Sequence, residues 1–143
     1  MELLQEIVDY GIFGVLFFMS FLSIALSFER YFFYKGVQLG HYKTKNALEI
    51  ALTNNLSAIS TIGSNAPYVG LLGTVVGIMV VFYDMGKSTS LESSVVVIGL
   101  SLALKATALG LLVAIPSMMF YSAFLRRCDT LMGRWEDEVY QAV

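Results

Sequence analysis

The chain has 143 residues, enough for one domain, with 57% hydrophobic and 14% charged residues, where soluble domains average roughly 45–50% and 25%. A soluble core of this size cannot hide so much apolar surface, so a bilayer must take the remainder. The net charge of −2, without a basic block, gives no hint of a nucleic-acid surface; the single Cys128 excludes an intramolecular disulfide or cysteine metal cluster, and the single His41 argues against a zinc or copper site.

The chain opens on a short acidic leader, Met1 to Asp9, with Glu2, Glu6 and Asp9 and no lysine or arginine. A signal peptide needs a basic start and a small-residue cleavage site, so the apolar run that follows is expected to be kept. That run, about 10–28, matches the ~20 residues needed to cross a hydrocarbon core. Phe13, Phe17, Phe18 and Phe21 are expected to face lipid, and Ser20, Ser23 and Ser27 to face protein. Glu29 and Arg30 mark the exit, followed by an aromatic belt, Tyr31 to Tyr34.

Residues 35–65 form the only long polar stretch, with Lys35, His41, Lys43 and Lys45 set against Glu49. Within it Leu48, Leu52, Leu56 and Ile59 recur at three- and four-residue steps, the pattern of an amphipathic helix.

The second span is expected over about 67–83, opened by Pro67, because proline suits a first helical position. Ala66, Gly70, Gly73, Thr74, Gly77 and Val81 fall within about 100° of arc, a single face of small residues. After a loop at 84–94, the third span runs over about 95–124 and repeats the device. Its small face holds Gly99, Ala103, Ala106, Thr107, Gly110, Ala114 and Ser117, with Pro116 placed to bend it. Two such faces imply close helix packing. Three helices rarely use so much contact surface within one copy, so a ring of copies is expected, with the second and third helices facing inward or toward neighbouring copies.

The fold expected is thus an all-α integral membrane protein with three transmembrane helices, one membrane domain over 1–143. Lysine and arginine gather at 30–45 and in the tail, 126–143. The positive-inside rule puts those segments in the cytoplasm, and the N-terminus and the 84–94 loop outside.

Three polar residues stand in the membrane runs. Thr74 and Thr107 either bond the carbonyl one turn back or line a narrow polar path. Lys105 is the costlier residue, at roughly +2.5 to +3.5 kcal/mol for a mid-membrane lysine. It lies opposite the small face, with no carboxylate of this chain at an obviously equal depth, so it snorkels, loses its charge or pairs with an acid on a partner protein. Glu29 and Arg30 are the other candidates for charge pairing. No nucleophile–base pair or metal-ligand set is visible, which argues against an enzyme.

Ala66-Pro67 with Gly70-Leu71-Leu72-Gly73-Thr74-Val75-Val76-Gly77-Ile78, followed by Ala106-Thr107-Ala108-Leu109-Gly110-Leu111-Leu112-Val113-Ala114-Ile115-Pro116, resembles the MotA/TolQ/ExbB proton-channel family, its ExbB branch above all. The pair Glu29-Arg30 after the first span is similar too. The resemblance implies an inner-membrane homo-oligomer, a pentamer, around two helices of a smaller ExbD-like partner. Proton flow past an aspartate of that partner would drive motion that a TonB-like protein passes to outer-membrane receptors. It implies pore-lining roles for Thr74 and Thr107, and no cofactor. Many relatives carry a glutamate where this chain has Leu102, so the essential acid is expected on the partner. The polar segments are also shorter than in many relatives. Three rivals are a TolQ-like energiser of the Tol-Pal envelope system, a small solute transporter using Lys105 for an anion, and a passive scaffold.

Overall fold

A computed structural model describes residues 2–87 and 92–142, so the middle of the expected 84–94 loop, residues 88–91, lies outside the described residues. Three long helices dominate. Helix α1 spans Glu2–Gly36, α2 Lys45–Thr53, α3 Leu56–Lys87 and α4 Ser93–Ala142, with a 3-10 turn at Leu39–His41. The three long helices are each apolar and long enough to cross a membrane.

Sequence explains the boundaries. Helix α1 begins among acids, which suit the positive end of the helix dipole, and ends on Lys35-Gly36. Thr44 caps α2 by accepting from the Ala47 N–H at 3.1 Å. The chain then turns at Asn54-Asn55, where Asn55 takes φ 68°, a left-handed conformation that asparagine tolerates better than most residues. This turn divides the amphipathic stretch. Leu48 and Leu52 finish on α2, Leu56 and Ile59 start α3, and all four are buried.

The second span does not open at Pro67. Helix α3 starts eleven residues earlier, and Pro67 lies inside it. A proline there removes one intrahelical hydrogen bond, a local loss that a helix packed on a neighbour can bear. The expected loop at 84–94 is shorter at both ends, because α3 continues to Lys87 and α4 begins at Ser93. Helix α4 carries the third span and the tail as one rod of 50 residues, about 75 Å at 1.5 Å per residue, more than twice a hydrocarbon core.

Helices α1 and α4 run parallel in a constant register. The Ser23 and Ser117 hydroxyls bond at 2.6 Å, and Cys128 Sγ lies 3.2 Å from the Tyr34 hydroxyl, each pair 94 positions apart. Ile12 and Ala106, also 94 apart, both abut Gly73. Positions 12, 23 and 34 on α1 are spaced by 11, which is three helical turns at 3.67 residues each, so one side of α1 stays on α4 throughout. Helix α3 lies antiparallel to α4.

Two cores result. Ile12, Leu16, Ala66, Ala106 and Ala114 form one among the apolar runs. At the polar end, Tyr34, Leu48, Leu52, Leu56, Ile59, Cys128 and Leu131 form the other, with Trp135 donating to the Tyr42 carbonyl at 3.0 Å. Phe17, Phe18 and Phe21 are exposed along the outside as expected. Phe13 is the exception: it is half-buried and packs toward Lys105.

Candidate functional site

The small faces of α3 and α4 meet each other within one chain. A Cβ on Gly70 would stand 2.5 Å from the Ala106 carbonyl oxygen, and one on Gly110 2.7 Å from that of Ala66. Only glycine lets the two backbones approach so closely. Gly73 faces Ala106, Gly77 faces Ala103, and Gly99 faces Val81; Ala114 is buried in the same seam. The expectation that one copy cannot use so much contact surface is therefore corrected. Each face was counted as needing an outside partner, whereas the antiparallel register makes each the partner of the other.

This approach brings Thr74 and Thr107 together. Their hydroxyls share a hydrogen bond, and Thr74 Oγ1 also lies 2.9 Å from the Ala103 carbonyl oxygen and 3.4 Å from that of Gly70. Thr74 has one proton for two carbonyls, and the shorter contact, across the seam to Ala103, is the better acceptor. Thr74 is buried, while Thr107 is half-buried and keeps one side open.

Proton bookkeeping decides what this pair can do. Each hydroxyl has one proton and two lone pairs. If Thr74 donates to Ala103 O, Thr107 donates to Thr74 and its free lone pair accepts from an outside donor, a water or a protonated acid. If Thr107 turns its proton outward, to an acceptor such as a carboxylate, Thr74 gives its own proton to Thr107 and releases the Ala103 carbonyl. The pair can therefore act as donor or as acceptor toward a third group.

Glu29 and Arg30 form a pair of a different kind. Arg30 Nε stands 2.5 Å from Glu29 Oε2, yet Arg30 is only 2% exposed while the Glu29 side chain is 45% exposed. Arg30 Nη1 donates to the Ala51 and Leu52 carbonyls at 2.9 and 3.4 Å, filling acceptors left open at the end of α2. Its guanidinium lies 4.3 Å from the Phe33 ring centroid. The Tyr34 hydroxyl donates to Leu52 O at 2.6 Å, and Asn55 Nδ2 to Glu29 Oε2 at 3.2 Å. Sequence reasoning read Arg30 as an exit marker and a candidate for charge pairing, but missed its clamp on carbonyls about twenty residues further along the chain. The run of aromatic residues beside an arginine was the available signal.

Ser23 meets Ser117, whereas the Ser27 hydroxyl is buried with no hydrogen-bond partner among the described residues. Lys45 pairs with Glu136 at 2.6 Å on the surface, and that carboxylate holds the ammonium above its ordinary range. Lys105 is exposed on a groove between α1 and α4. Among the described residues no group of three or more His, Cys, Asp or Glu could hold a metal ion.

Three apolar spans, a glycine-tight antiparallel pair and a hydroxyl pair within it define a membrane subunit built for close packing around a polar point. Residues 25–137 match the MotA/TolQ/ExbB proton channel family. The chain belongs to that family, on its ExbB branch. It is 52% identical over 135 residues to the biopolymer transport protein ExbB of Helicobacter pylori strain J99, covering 94% of this chain and 93% of that protein. Its identity to the biopolymer transport protein ExbB of Aquifex aeolicus strain VF5 is 47% over 136 residues, 95% and 92% of the two chains. Family membership makes it a multi-pass inner-membrane protein of energy transduction and transport rather than an enzyme.

Proposed function

We propose that this chain is the ring-forming subunit of a proton-driven motor, a pentamer enclosing the membrane helices of a smaller ExbD-like partner. In this reading it couples the proton motive force, through a TonB-like protein, to import across the outer membrane. The N-terminus and the α3–α4 connection face the periplasm. Residues 35–65 and 126–143 face the cytoplasm, where lysine and arginine concentrate.

The Thr74–Thr107 hydroxyl pair carries the proposal, since it is a polar point in an apolar seam with Thr107 open on one side. A partner carboxylate is costly there when charged and cheap when protonated. Protonated, it donates to the Thr107 oxygen and its helix is free to shift. Deprotonated, it accepts from Thr107 and is held. A membrane potential contributes about 2.3 kcal/mol per charge per 100 mV, enough to bias each step in one direction. Leu102 leaves α4 without an acid at that position, so the carboxylate comes from the partner.

The large side chains left exposed on α3 and α4, among them Leu72, Met79, Leu104 and Leu112, supply the apolar surface for lipid and neighbouring copies. Purification in mild detergent with native mass measurement tests the assembly. Five copies with a small single-span protein carrying a membrane aspartate are expected; a monomer would contradict the proposal. Deletion should abolish growth on a scarce iron complex. Detergent sensitivity with unimpaired iron uptake would instead assign the chain to the Tol-Pal role.

A further inference from the structure

We infer that Lys105 and Asp9 form an ion pair across the groove between α1 and α4, fastening α1 to the side of α4 that faces away from Thr107. The groove, about 460 Å³, is lined by Phe13, Leu16, Phe17 and Ser20 of α1 and by apolar residues of α4 around Lys105. The Lys105 ammonium rests 5.9 Å from the Phe13 ring centroid. A single ring face and one serine are poor company for a full positive charge at this depth.

The constant register locates the missing acid. With partners 94 positions apart from Ser23–Ser117 to Tyr34–Cys128, and Ile12 beside Ala106 in the same spacing, Asp9 stands level with Ala103. Lys105 is two residues further along α4, about 3 Å at 1.5 Å per residue. Asp9 precedes Phe13 by four positions, so both share the face of α1 that borders the groove. Helical side chains lean toward their own N-terminus. Because α1 and α4 run parallel, that lean carries the lysine toward the level of Asp9.

Other acids fit less well. Glu6 stands a further turn out and is exposed. Asp84 lines a different groove, with Gln5, Ile98 and Gly99. Asp9 is half-buried, and the pair, open in this structure, would close by rotation of the two side chains. The pair also fixes the rotation of α4, since Lys105 and Thr107 lie on roughly opposite sides of it.

Charge exchange tests the inference in the assembled complex. Lys105→Glu alone and Asp9→Lys alone should each lower the yield of assembled protein about fivefold, and the double exchange should recover most of it. Single reversals that match the unaltered chain, or a double no better than the singles, would overturn the pair. Proximity is read separately, in membranes, with Asp9→Cys and Lys105→Cys in a Cys128→Ala background and a short bis-thiol linker. A link within one chain, seen by mass, is expected. Links only between chains, or none, would overturn it.

Discussion

Thr74 on α3 shares a hydrogen bond with Thr107 on α4, and Ala103 on the same helix offers Thr74 a second acceptor at 2.9 Å. The two hydroxyls meet because Gly70 and Gly110 let the backbones close beside them. The close packing and the polar point are therefore one feature, and a change to either glycine should be felt at both threonines.

Gly70→Ala puts a methyl group 2.5 Å from a carbonyl oxygen, which cannot fold out of the way. Overpacking of this kind costs about 1–3 kcal/mol. Gly99→Ala meets the Val81 side chain, which can rotate, so its cost should be smaller. Thermal unfolding in detergent should rank Gly70→Ala well below Gly99→Ala, and equal midpoints would contradict the backbone contact.

Arg30→Met removes the donor to the Ala51 and Leu52 carbonyls and leaves Glu29 without its guanidinium. Hydrogen bonds to charged groups contribute about 1.5–3 kcal/mol, so the polar-end core should loosen while the membrane seam persists. Trp135 is the only tryptophan and packs against that core, so its fluorescence should report the change. Arg30→Lys should rescue little, because an ammonium lacks the fork that engages two partners.

The surface pair Lys45–Glu136 is a control. Both side chains are at least half exposed, and such pairs contribute little once solvent and salt screen them. The glutamate raises the lysine's pKa, so whatever stability the pair gives is present below the ordinary lysine range and lost as pH rises above it. Lys45→Ala should leave the unfolding midpoint near neutral pH unchanged.

Cys128 is 1% exposed, enclosed by Tyr34 and the Leu52 carbonyl. A thiol so enclosed is shielded from reagents. Maleimide should label the native protein slowly and the denatured protein completely; rapid native labelling would place α4 away from α1 at this level.

Much of this was legible from residue spacing. Leu48, Leu52, Leu56 and Ile59 share one buried side because periodicity survives the turn at Asn54-Asn55, where the two asparagines were the local signal left unread. Pro67 misled because a proline fits both a helix start and a tolerated interior position, and only packing chooses. The small residues of α3 and α4 were visible as faces, but a face does not name its partner. The Arg30 clamp depends on carbonyls twenty residues away. The level of Asp9 depends on a helix register that one-dimensional spacing does not contain.

The central claim is that Thr74 and Thr107 together handle the proton of a partner acid. Valine at both positions keeps the shape and removes both hydroxyls. Proton-driven uptake by cells carrying Thr74→Val with Thr107→Val, measured beside the native mass of the complex, tests it most directly. The account predicts an intact assembly with uptake abolished; an intact assembly with normal uptake would contradict it.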